Sequence, residues 1–342
     1  MIKEKIFVWV RSMGVRQRLG IAGGLGLLSV FAAVLMFFPL EWVDLKDRWD
    51  LWRGQVHRFS PGVGGSTAGL QGLIQDRCAP APALGKPMTR MDSGCVCVAL
   101  LHGLGDQASS WKNVLLWPEE RWAAMGLREK LRLVALDLPG QESSAQLGVR
   151  AQAQAVREFL TPLCSSWIVV GNSWGGWVAS WMALDGPQFV TRLILLDSAG
   201  LKASREGGAF KEVLSDPTEA SLKSFYQKAY FQPKDLPGYY WREIVQKARA
   251  LSAQHGVLGR AGAHGKADED LDLRFASLQQ LVFLLWGKQD RVIPIEIGYQ
   301  MRELVKRNAI WREVDGCGHF PQKECPDVVV QSIIDVIHFG LI

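Results

Sequence analysis

A serine between two glycines is the residue with the clearest chemistry in this sequence of 342 residues. Gly171, Ser173 and Gly175 form the pattern G-x-S-x-G, directly after the β-branched residues 168–170 and before small and apolar residues at helical spacing. A sharp strand–turn–helix connection strains the backbone of such a serine and lifts its hydroxyl clear of a sheet. Glycines at these positions leave out Cβ atoms that would collide with the turn. The pattern predicts a serine nucleophile; the alternative is an ordinary tight turn.

A serine hydroxyl is a poor nucleophile at neutral pH, so it needs a base. Of the six histidines, His319 lies in a loop that follows a late apolar run, and Gly316 and Gly318 give this loop the freedom to aim the ring. If the run is a strand of the same sheet, His319 lies at the same edge as the serine. We predict that His319 is the base; the alternative is a hydrogen-bonded loop histidine.

The predicted base needs an acid beside it, and two aspartates compete for this role. Asp290 lies in a turn after the apolar run 281–286, between the serine and the histidine in the chain. Asp197 ends the preceding run, 193–196, and an acid placed there also reaches a histidine loop at the same edge. We predict that Asp290 is the acid, with Asp197 as the alternative.

Attack of a serine on an acyl carbon creates an oxyanion, which needs two hydrogen-bond donors. The backbone amide of Trp174, directly after the serine, is one predicted donor because it lies at a helix N-terminus. The sequence H-G-L-G at 102–105 follows another apolar run and offers the second donor, the amide of Leu104. We expect His102 to hold this loop in place rather than to act as a base.

The elements that position these residues alternate between strand and helix. Apolar runs predict strands at 95–101, 131–136, 167–170, 193–196, 281–286 and 310–314, and periodicity predicts helices at 149–160, 295–306 and 326–339. Continuous apolar runs are typical of parallel strands covered on both faces. The sequence therefore predicts an α/β fold with a mostly parallel sheet between two helical layers, formed by 73–200 and 281–342.

The interval 201–280 interrupts this alternation with charged and aromatic helical stretches at 211–230 and 241–251. An insertion of this length between two strands has to lie on top of the sheet. In open α/β sheets the carboxyl ends of the strands carry the site. We predict a helical cap over the serine; the alternative is a peripheral helical excursion.

The N-terminus is basic and then strongly apolar. Residues 1–18 hold five basic side chains against one acidic one, a net +4, while the whole chain carries +5. Residues 19–40 are uncharged and long enough to cross a hydrocarbon core of about 30 Å as a helix. We predict a transmembrane signal-anchor at 19–40 and a juxtamembrane segment and linker at 41–72. The alternatives are a cleaved signal peptide and a buried core helix.

The position of the charges indicates orientation and excludes one class of partner. Basic residues before a membrane span favour a cytoplasmic N-terminus and a translocated remainder, which is periplasmic in a bacterium. Because 1–18 hold most of the positive charge, about +1 is left for the rest of the chain. We expect no nucleic-acid partner.

Six cysteines are compatible with an oxidising compartment without requiring one. Cys95 and Cys97 alternate within a predicted strand, so they share a face and are interpreted as core residues. Cys317 and Cys325 flank the predicted base, and a disulfide between them is left open. The spacing of the cysteines does not match a metal-ligand pattern, so no metal site is predicted.

Four motifs between Cys95 and the C-terminus resemble those of the α/β-hydrolase superfamily. They are H-G-L-G, G-N-S-W-G-G, L-W-G-K-Q-D-R-V-I-P and G-C-G-H-F-P-Q-K-E-C-P, in the family's order and spacing. The residues of these motifs most resemble those of the capped esterases and of the meta-cleavage-product hydrolases, which cleave carbon–carbon bonds. Ser173 departs from haloalkane dehalogenases and epoxide hydrolases, which have an aspartate there. The resemblance implies a hydrolase without a cofactor and the triad order Ser173, Asp290, His319.

We therefore expect a membrane-anchored serine hydrolase that cleaves a small-molecule carboxylic ester through an acyl-enzyme. The tryptophans around the serine, Trp174, Trp177 and Trp181, favour an apolar acyl group, although the same side chains would also pack the following helix. Two alternatives stay open. The same triad can hydrolyse a carbon–carbon bond in a vinylogous diketone, and an inert hydrolase fold can serve as an anchored binding protein.

Overall fold

A single sheet connects the residues singled out above. The structure, a computed structural model, describes residues 56–59, 70–78, 94–139, 147–206, 217–254 and 269–339. In these ranges eight strands form the sheet: β1 (Val56–Phe59), β2 (Gly72–Asp76), β3 (Cys95–Leu101), β4 (Lys130–Leu136), β5 (Trp167–Asn172), β6 (Val190–Leu196), β7 (Leu281–Gly287) and β8 (Ala309–Val314). Their order across the sheet is β1-β2-β4-β3-β5-β6-β7-β8.

The sheet is mostly parallel, as predicted. β1 pairs with β2 and β2 pairs with β4 in antiparallel fashion, while all pairs from β4 to β8 are parallel. The carboxyl ends of β3, β5, β6, β7 and β8 therefore lie at the same edge of the sheet. That edge is where a site is expected in an open α/β sheet.

Helices cover both faces of the sheet. In the described part of the chain they are α1 (Lys112–Leu115), α2 (Glu119–Ala124), α3 (Val149–Leu160), α4 (Trp174–Asp185), α5 (Lys202–Glu206), α6 (Glu219–Ala229), α7 (Gly238–Gln254), α8 (Ile295–Val305), α9 (Pro321–Glu324) and α10 (Pro326–His338). One apolar layer contains residues of α3, α4 and α8, and the other contains residues of α1, α2 and α10.

Alternate residues of each central strand point to the two layers. In β3, Cys97, Ala99 and Leu101 belong to the layer with α3, whereas Val98 and Leu100 belong to the layer with α10. Because both faces are covered, every one of these side chains is apolar and buried. This explains why the predicted strands were recognisable as continuous apolar runs.

The insertion between β6 and β7 contains helices, as predicted from its periodicity. α6 and α7 pack against each other around a small apolar cluster of their own, formed by Leu222, Trp241 and Val245. Thr218 begins α6 with a reciprocal capping box, in which its side chain accepts from the Ser221 amide at 3.1 Å. This small cluster joins the two helices, and Ala229 at the end of α6 is buried in the apolar layer that contains α3, α4 and α8.

One strand lies where we expected a juxtamembrane segment and linker, at 41–72. β1 (Val56–Phe59) pairs with β2 and extends the sheet on that side, so the sheet starts before the predicted boundary at residue 73. A four-residue strand at a sheet edge depends on its pairing with the neighbouring strand, and its own sequence carries little signal. The structure therefore corrects this boundary.

The predicted membrane span at 19–40 lies outside the described residues, as do 1–18 and 41–55. Within the part of the chain that the structure describes, no helix combines the length and apolarity needed to cross a bilayer.

All six cysteines form disulfides: Cys78–Cys95, Cys97–Cys164 and Cys317–Cys325. The last pairing is the one that the sequence left open. The interpretation of Cys95 and Cys97 as simple core residues is wrong in this respect, although Cys97 is buried. Their partners lie 17 and 67 residues away in the chain. A local sequence pattern does not predict which distant cysteine pairs with each of them.

Candidate active site

Ser173 occupies a strained turn between β5 and α4. Its φ of 53° and ψ of −119° lie outside the regions that ordinary residues adopt. A Cβ on Gly171 would collide with the backbone of Gly175 and Gly176, and one on Gly175 with the backbone of Leu101. The glycines of the motif are thus required by the close approach of the helix to the sheet.

His319 and Asp290 form a buried pair at the carboxyl ends of β8 and β7. The distance between His319 Nδ1 and Asp290 Oδ2 is 2.7 Å, and both side chains are fully buried. Asp290 Oδ1 also accepts the amides of Val292 at 2.7 Å and Ile293 at 3.1 Å. The carboxylate is therefore fixed, and it directs the opposite ring nitrogen, Nε2, away from the acid. This is the arrangement that a general base requires.

Asn172 connects the loop that carries His319, residues 315–320 and here called the histidine loop, to the turn at Ser173. Its Nδ2 donates to the carbonyl oxygens of His319 at 2.9 Å and Leu196 at 3.1 Å. Its Oδ1 accepts from Gln322 Nε2 at 3.0 Å. Because Asn172 directly precedes Ser173, these bonds bring the predicted base and the predicted nucleophile into one network. We had not predicted this role; the only signal was a polar residue inside a buried motif.

The structure favours Asp290 over Asp197 as the partner of the histidine. Asp197 also lies at the correct edge, at the end of β6, and is fully buried. Its Oδ1 accepts the Gly287 amide at 2.9 Å, whereas His319 is bonded to Asp290. Burial, followed by the charge of Asp290, raises the pKa of Asp197 well above its ordinary value. Burial and the neighbouring carboxylate therefore both favour the neutral form of Asp197.

The H-G-L-G loop after β3 lies beside the serine. A Cβ on Gly103 would stand 3.3 Å from Ser173 Cβ. The residue that directly precedes the Leu104 amide therefore lies beside the serine. Trp174 is the first residue of α4, and the amides of a first helical turn have no acceptor within the helix. The two predicted oxyanion donors thus belong to segments that flank Ser173.

His102 is bonded on both ring nitrogens and holds this loop. Its Nε2 accepts the Leu138 amide at 2.9 Å, so Nδ1 carries the proton and donates to the Gly103 carbonyl at 2.8 Å. Burial lowers the pKa of His102, which keeps the ring neutral. The structure agrees with the expectation that His102 organises the loop.

Lys323 connects the histidine loop with the H-G-L-G loop. Its Nζ lies 2.7 Å from Asp106 Oδ2 and 4.5 Å from the centre of the Phe320 ring, and it is hydrogen-bonded to Tyr230. Burial alone lowers the pKa of Lys323, but Asp106 and Tyr230 outweigh this and raise it. The ammonium group is charged and balanced by Asp106.

The end of α6 lies against the histidine loop. The Ala229 carbonyl accepts the His319 amide at 2.7 Å, and the rings of Tyr230 and Phe320 are 5.2 Å apart. Glu324 Oε2 accepts the Phe231 amide at 2.8 Å. The insertion therefore contacts the predicted base itself and residues that follow it.

The tryptophans around the serine pack α4 and are hydrogen-bonded. Trp174 Nε1 donates to Gln152 Oε1 on α3 at 3.0 Å. Trp177 and Trp181 both donate to the Glu269 carbonyl, at 2.8 and 2.7 Å. These contacts assign the three indoles to the junction of α3, α4 and the end of the insertion. They give no support to the apolar acyl group that the tryptophans suggested.

No group of three His, Cys, Asp or Glu side chains within the described ranges is arranged to hold a metal ion.

Comparison with known proteins gives consistent matches. Residues 98–332 match the Alpha/beta hydrolase family. A 2-hydroxy-6-oxononadienedioate/2-hydroxy-6-oxononatrienedioate hydrolase of Pseudomonas putida is 25% identical over 269 residues, which cover 72% of this chain and 89% of that protein.

Two solved structures have the same fold. A bacterial membrane phospholipase A, described as a virulence factor, has a TM-score of 0.67 and 22% identity, covering 94% of this chain and 97% of its own. A meta-cleavage product hydrolase of Pseudomonas fluorescens has a TM-score of 0.57 and 17% identity, covering 79% and 95%.

Proposed function

This chain belongs to the alpha/beta hydrolase family, and on that premise we propose that it is a serine hydrolase that cleaves carboxylic esters. The observation that carries the proposal is the buried pair of His319 and Asp290, 2.7 Å apart. Asn172 bonds the histidine loop to the strained turn of Ser173. A serine hydroxyl becomes nucleophilic at neutral pH only beside a base, and that base is in turn oriented by an acid.

In the proposed reaction Ser173 Oγ attacks the acyl carbon and His319 Nε2 takes its proton. Asp290 stabilises the imidazolium, and the amides of Leu104 and Trp174 hold the oxyanion. His319 then gives the proton to the leaving alcohol. Water attacks the acyl-enzyme in a second step of the same kind and releases the acid.

The charges near the histidine loop support a neutral ester rather than a dianion. The Pseudomonas putida relative is named for a dienedioate, whose two carboxylates require positive charge in the site. Among the described residues, Lys323 is a cation beside the histidine loop, and Asp106 already balances it. A neutral ester needs no further cation.

We also propose that the insertion at 201–280 forms a cap over Ser173. The bonds from Ala229 to His319 and from Phe231 to Glu324 support this, because they attach the end of α6 directly to the histidine loop. A cap in this position excludes water and selects substrates by shape.

A membrane anchor at 19–40, with a cytoplasmic N-terminus and a translocated catalytic domain, is the third part of the proposal. Three disulfides support it because such bonds persist in oxidising compartments. Fractionation tests it. The full chain should sediment with membranes, and a variant without residues 1–40 should be soluble and active.

The central experiment compares wild type, Ser173→Ala and Ser180→Ala. Each is tested for labelling by a fluorophosphonate and for hydrolysis of p-nitrophenyl esters of increasing chain length and of phosphatidylcholine vesicles. Wild type should react, and Ser173→Ala should lose roughly 10⁴-fold or more in kcat. Ser180 is a buried serine of the same helix, bonded to the Gly176 carbonyl, and its variant controls for packing.

Each contrary outcome has a distinct meaning. Undiminished ester hydrolysis by Ser173→Ala would refute the nucleophile. A wild type that neither labels nor hydrolyses would indicate an inert binding protein.

Carbon–carbon bond hydrolysis is the second candidate, and the names of the Pseudomonas relatives favour it. A 2-hydroxy-6-oxo-dienedioate assayed beside the esters separates the two reactions. Turnover of the dienedioate without turnover of any ester would replace the ester proposal by this one.

A further inference from the structure

Asp197 is a buried carboxyl for which the proposed reaction has no use. It follows β6 directly, is fully buried, and has a left-handed φ of 44°. Aspartate, asparagine and glycine tolerate this backbone conformation better than other residues do. A charged side chain in such a dry position is costly unless it is paired.

The contacts of Asp197 are those of a protonated acid. Oδ1 accepts the Gly287 amide at 2.9 Å. Oδ2 is buried and receives no hydrogen bond from a donor within the described residues. The carboxyl group is within hydrogen-bond range of the side chain of Asp290. Two carboxyl groups can form a hydrogen bond only when one of them keeps its proton.

We propose that Asp197 is a positioning residue that stays protonated and donates a hydrogen bond through Oδ2 to Asp290, the acid that orients His319. The inference rests on the proposed function, since it assigns a role within the same site. Asp197 acts through Asp290 and touches neither the substrate nor the serine.

The surrounding charges explain which of the two acids keeps the proton. Asp290 accepts from two backbone amides and from His319, so its oxygens already act as acceptors. Asp197 has one amide donor and faces the negative charge of Asp290, and Glu324 adds a weaker negative charge from α9. Burial and these charges together raise the pKa of Asp197.

The main test is the pH dependence of fluorophosphonate labelling of Ser173, which reports the base without needing the natural substrate. Asp197→Asn is isosteric and neutral, and its amide can donate to Asp290. The acidic limb of its profile should therefore coincide with that of wild type. If Asp197 is ionised in wild type, the substitution removes a negative charge beside His319, and the acidic limb shifts to lower pH. That result would overturn the proposal.

A second variant removes the donor without straining the backbone. In Asp197→Gly, the glycine adopts the left-handed φ without strain but has no side chain that could donate to Asp290. Asp290 then keeps more of its negative charge for its bond with the imidazolium. The acidic limb should move to higher pH, and the rate should fall about tenfold, as for the loss of a hydrogen bond to a charged group. An Asp197→Gly profile identical to that of wild type would contradict the proposal.

A spectroscopic readout does not depend on activity. The infrared difference spectrum between wild type and Asp197→Asn at neutral pH should contain the carbonyl band of a protonated carboxylic acid; its absence would overturn the proposal. Failure of the proposed function is distinguishable, because then wild type itself would not be labelled at Ser173. A labelled wild type with a shifted Asp197→Asn profile would refute only the role of Asp197.

Discussion

At the scale of single residues, the candidate site depends on polar side chains that are buried and held by hydrogen bonds. Asp290 accepts from two backbone amides and from His319, so its position is fixed. In a medium of low polarity these interactions are stronger than in water. Asn172 extends the network to the serine turn. The same burial raises the pKa of the second carboxyl, that of Asp197.

The raised pKa of Asp197 predicts how stability depends on pH. If Asp197 is protonated as proposed, the folded chain holds this proton above about pH 4, where the unfolded chain has released it. Wild type therefore loses stability as pH rises from about 4 towards the folded-state pKa, by at most about 1.4 kcal/mol per pH unit from this group. In Asp197→Asn this loss is absent. Urea denaturation at several pH values measures the unfolding free energy of both proteins. The value for Asp197→Asn minus that for wild type should increase as pH rises.

Asp197→Gly is the matched control for this measurement. It also lacks the titrating carboxyl, so its difference from wild type should change with pH in the same way. Its stability should be lower at every pH because the bonds to Gly287 and Asp290 are lost. Stability curves of wild type and Asp197→Asn that run parallel would contradict the assignment.

At the scale of elements, the carboxylate of Glu324 helps to hold the histidine loop between β8 and α9. Glu324 Oε1 accepts the amides of Gly318 at 3.2 Å and Phe320 at 3.3 Å, and Oε2 accepts that of Phe231. These donors lie on both sides of His319 and on the insertion. Glu324 thus joins the loop of the predicted base to the segment after α6. Sequence reasoning missed it because its partners are backbone amides.

Replacing Glu324 by Ala should loosen this loop. Three amides lose their acceptor, and each buried unsatisfied donor costs about 1–3 kcal/mol, reduced where water replaces the carboxylate. We expect a lower unfolding free energy and a fall in kcat that exceeds any change in KM. Glu303→Ala removes an exposed glutamate of α8 and serves as the control. Unchanged kinetics in Glu324→Ala would show that the loop does not need this carboxylate.

At the scale of the whole molecule, disulfides join parts of the chain that are distant in sequence. Cys97–Cys164 links β3 to the segment that follows α3, across 67 residues, whereas Cys317–Cys325 closes a loop of 8. A cross-link stabilises mainly by restricting the unfolded chain, and the effect grows with the length of the loop. The first bridge therefore contributes more to the fold, and the second acts locally beside the histidine.

Removing the bridges one at a time tests this ranking. The double variant Cys97→Ser/Cys164→Ser should lose roughly 4 kcal/mol of unfolding free energy, and Cys317→Ser/Cys325→Ser roughly 2.5 kcal/mol, on the chain-entropy relation. Urea denaturation of the oxidised proteins measures both. An equal loss, or a larger loss for the short loop, would show that local packing rather than chain entropy decides their contributions.

The sequence by itself determined the α/β architecture and the order of the motifs. Central parallel strands are buried on both faces, so they read as continuous apolar runs whatever their neighbours are. The glycines around Ser173 identify the strained turn because only a residue without Cβ fits there. These signals are local, and the structure reproduces them. The edge strand β1 was missed because its stability comes from pairing.

Only the tertiary structure decided which distant groups meet. Asp197 and Asp290 both follow strands at the same edge, and their sequences do not tell which one reaches His319. The disulfide partners, the roles of Asn172 and Glu324, and the packing of the tryptophans were likewise fixed by contacts across the chain. Periodicity reports whether a side chain is buried, but hydrogen-bond partners depend on how elements far apart in sequence are brought together.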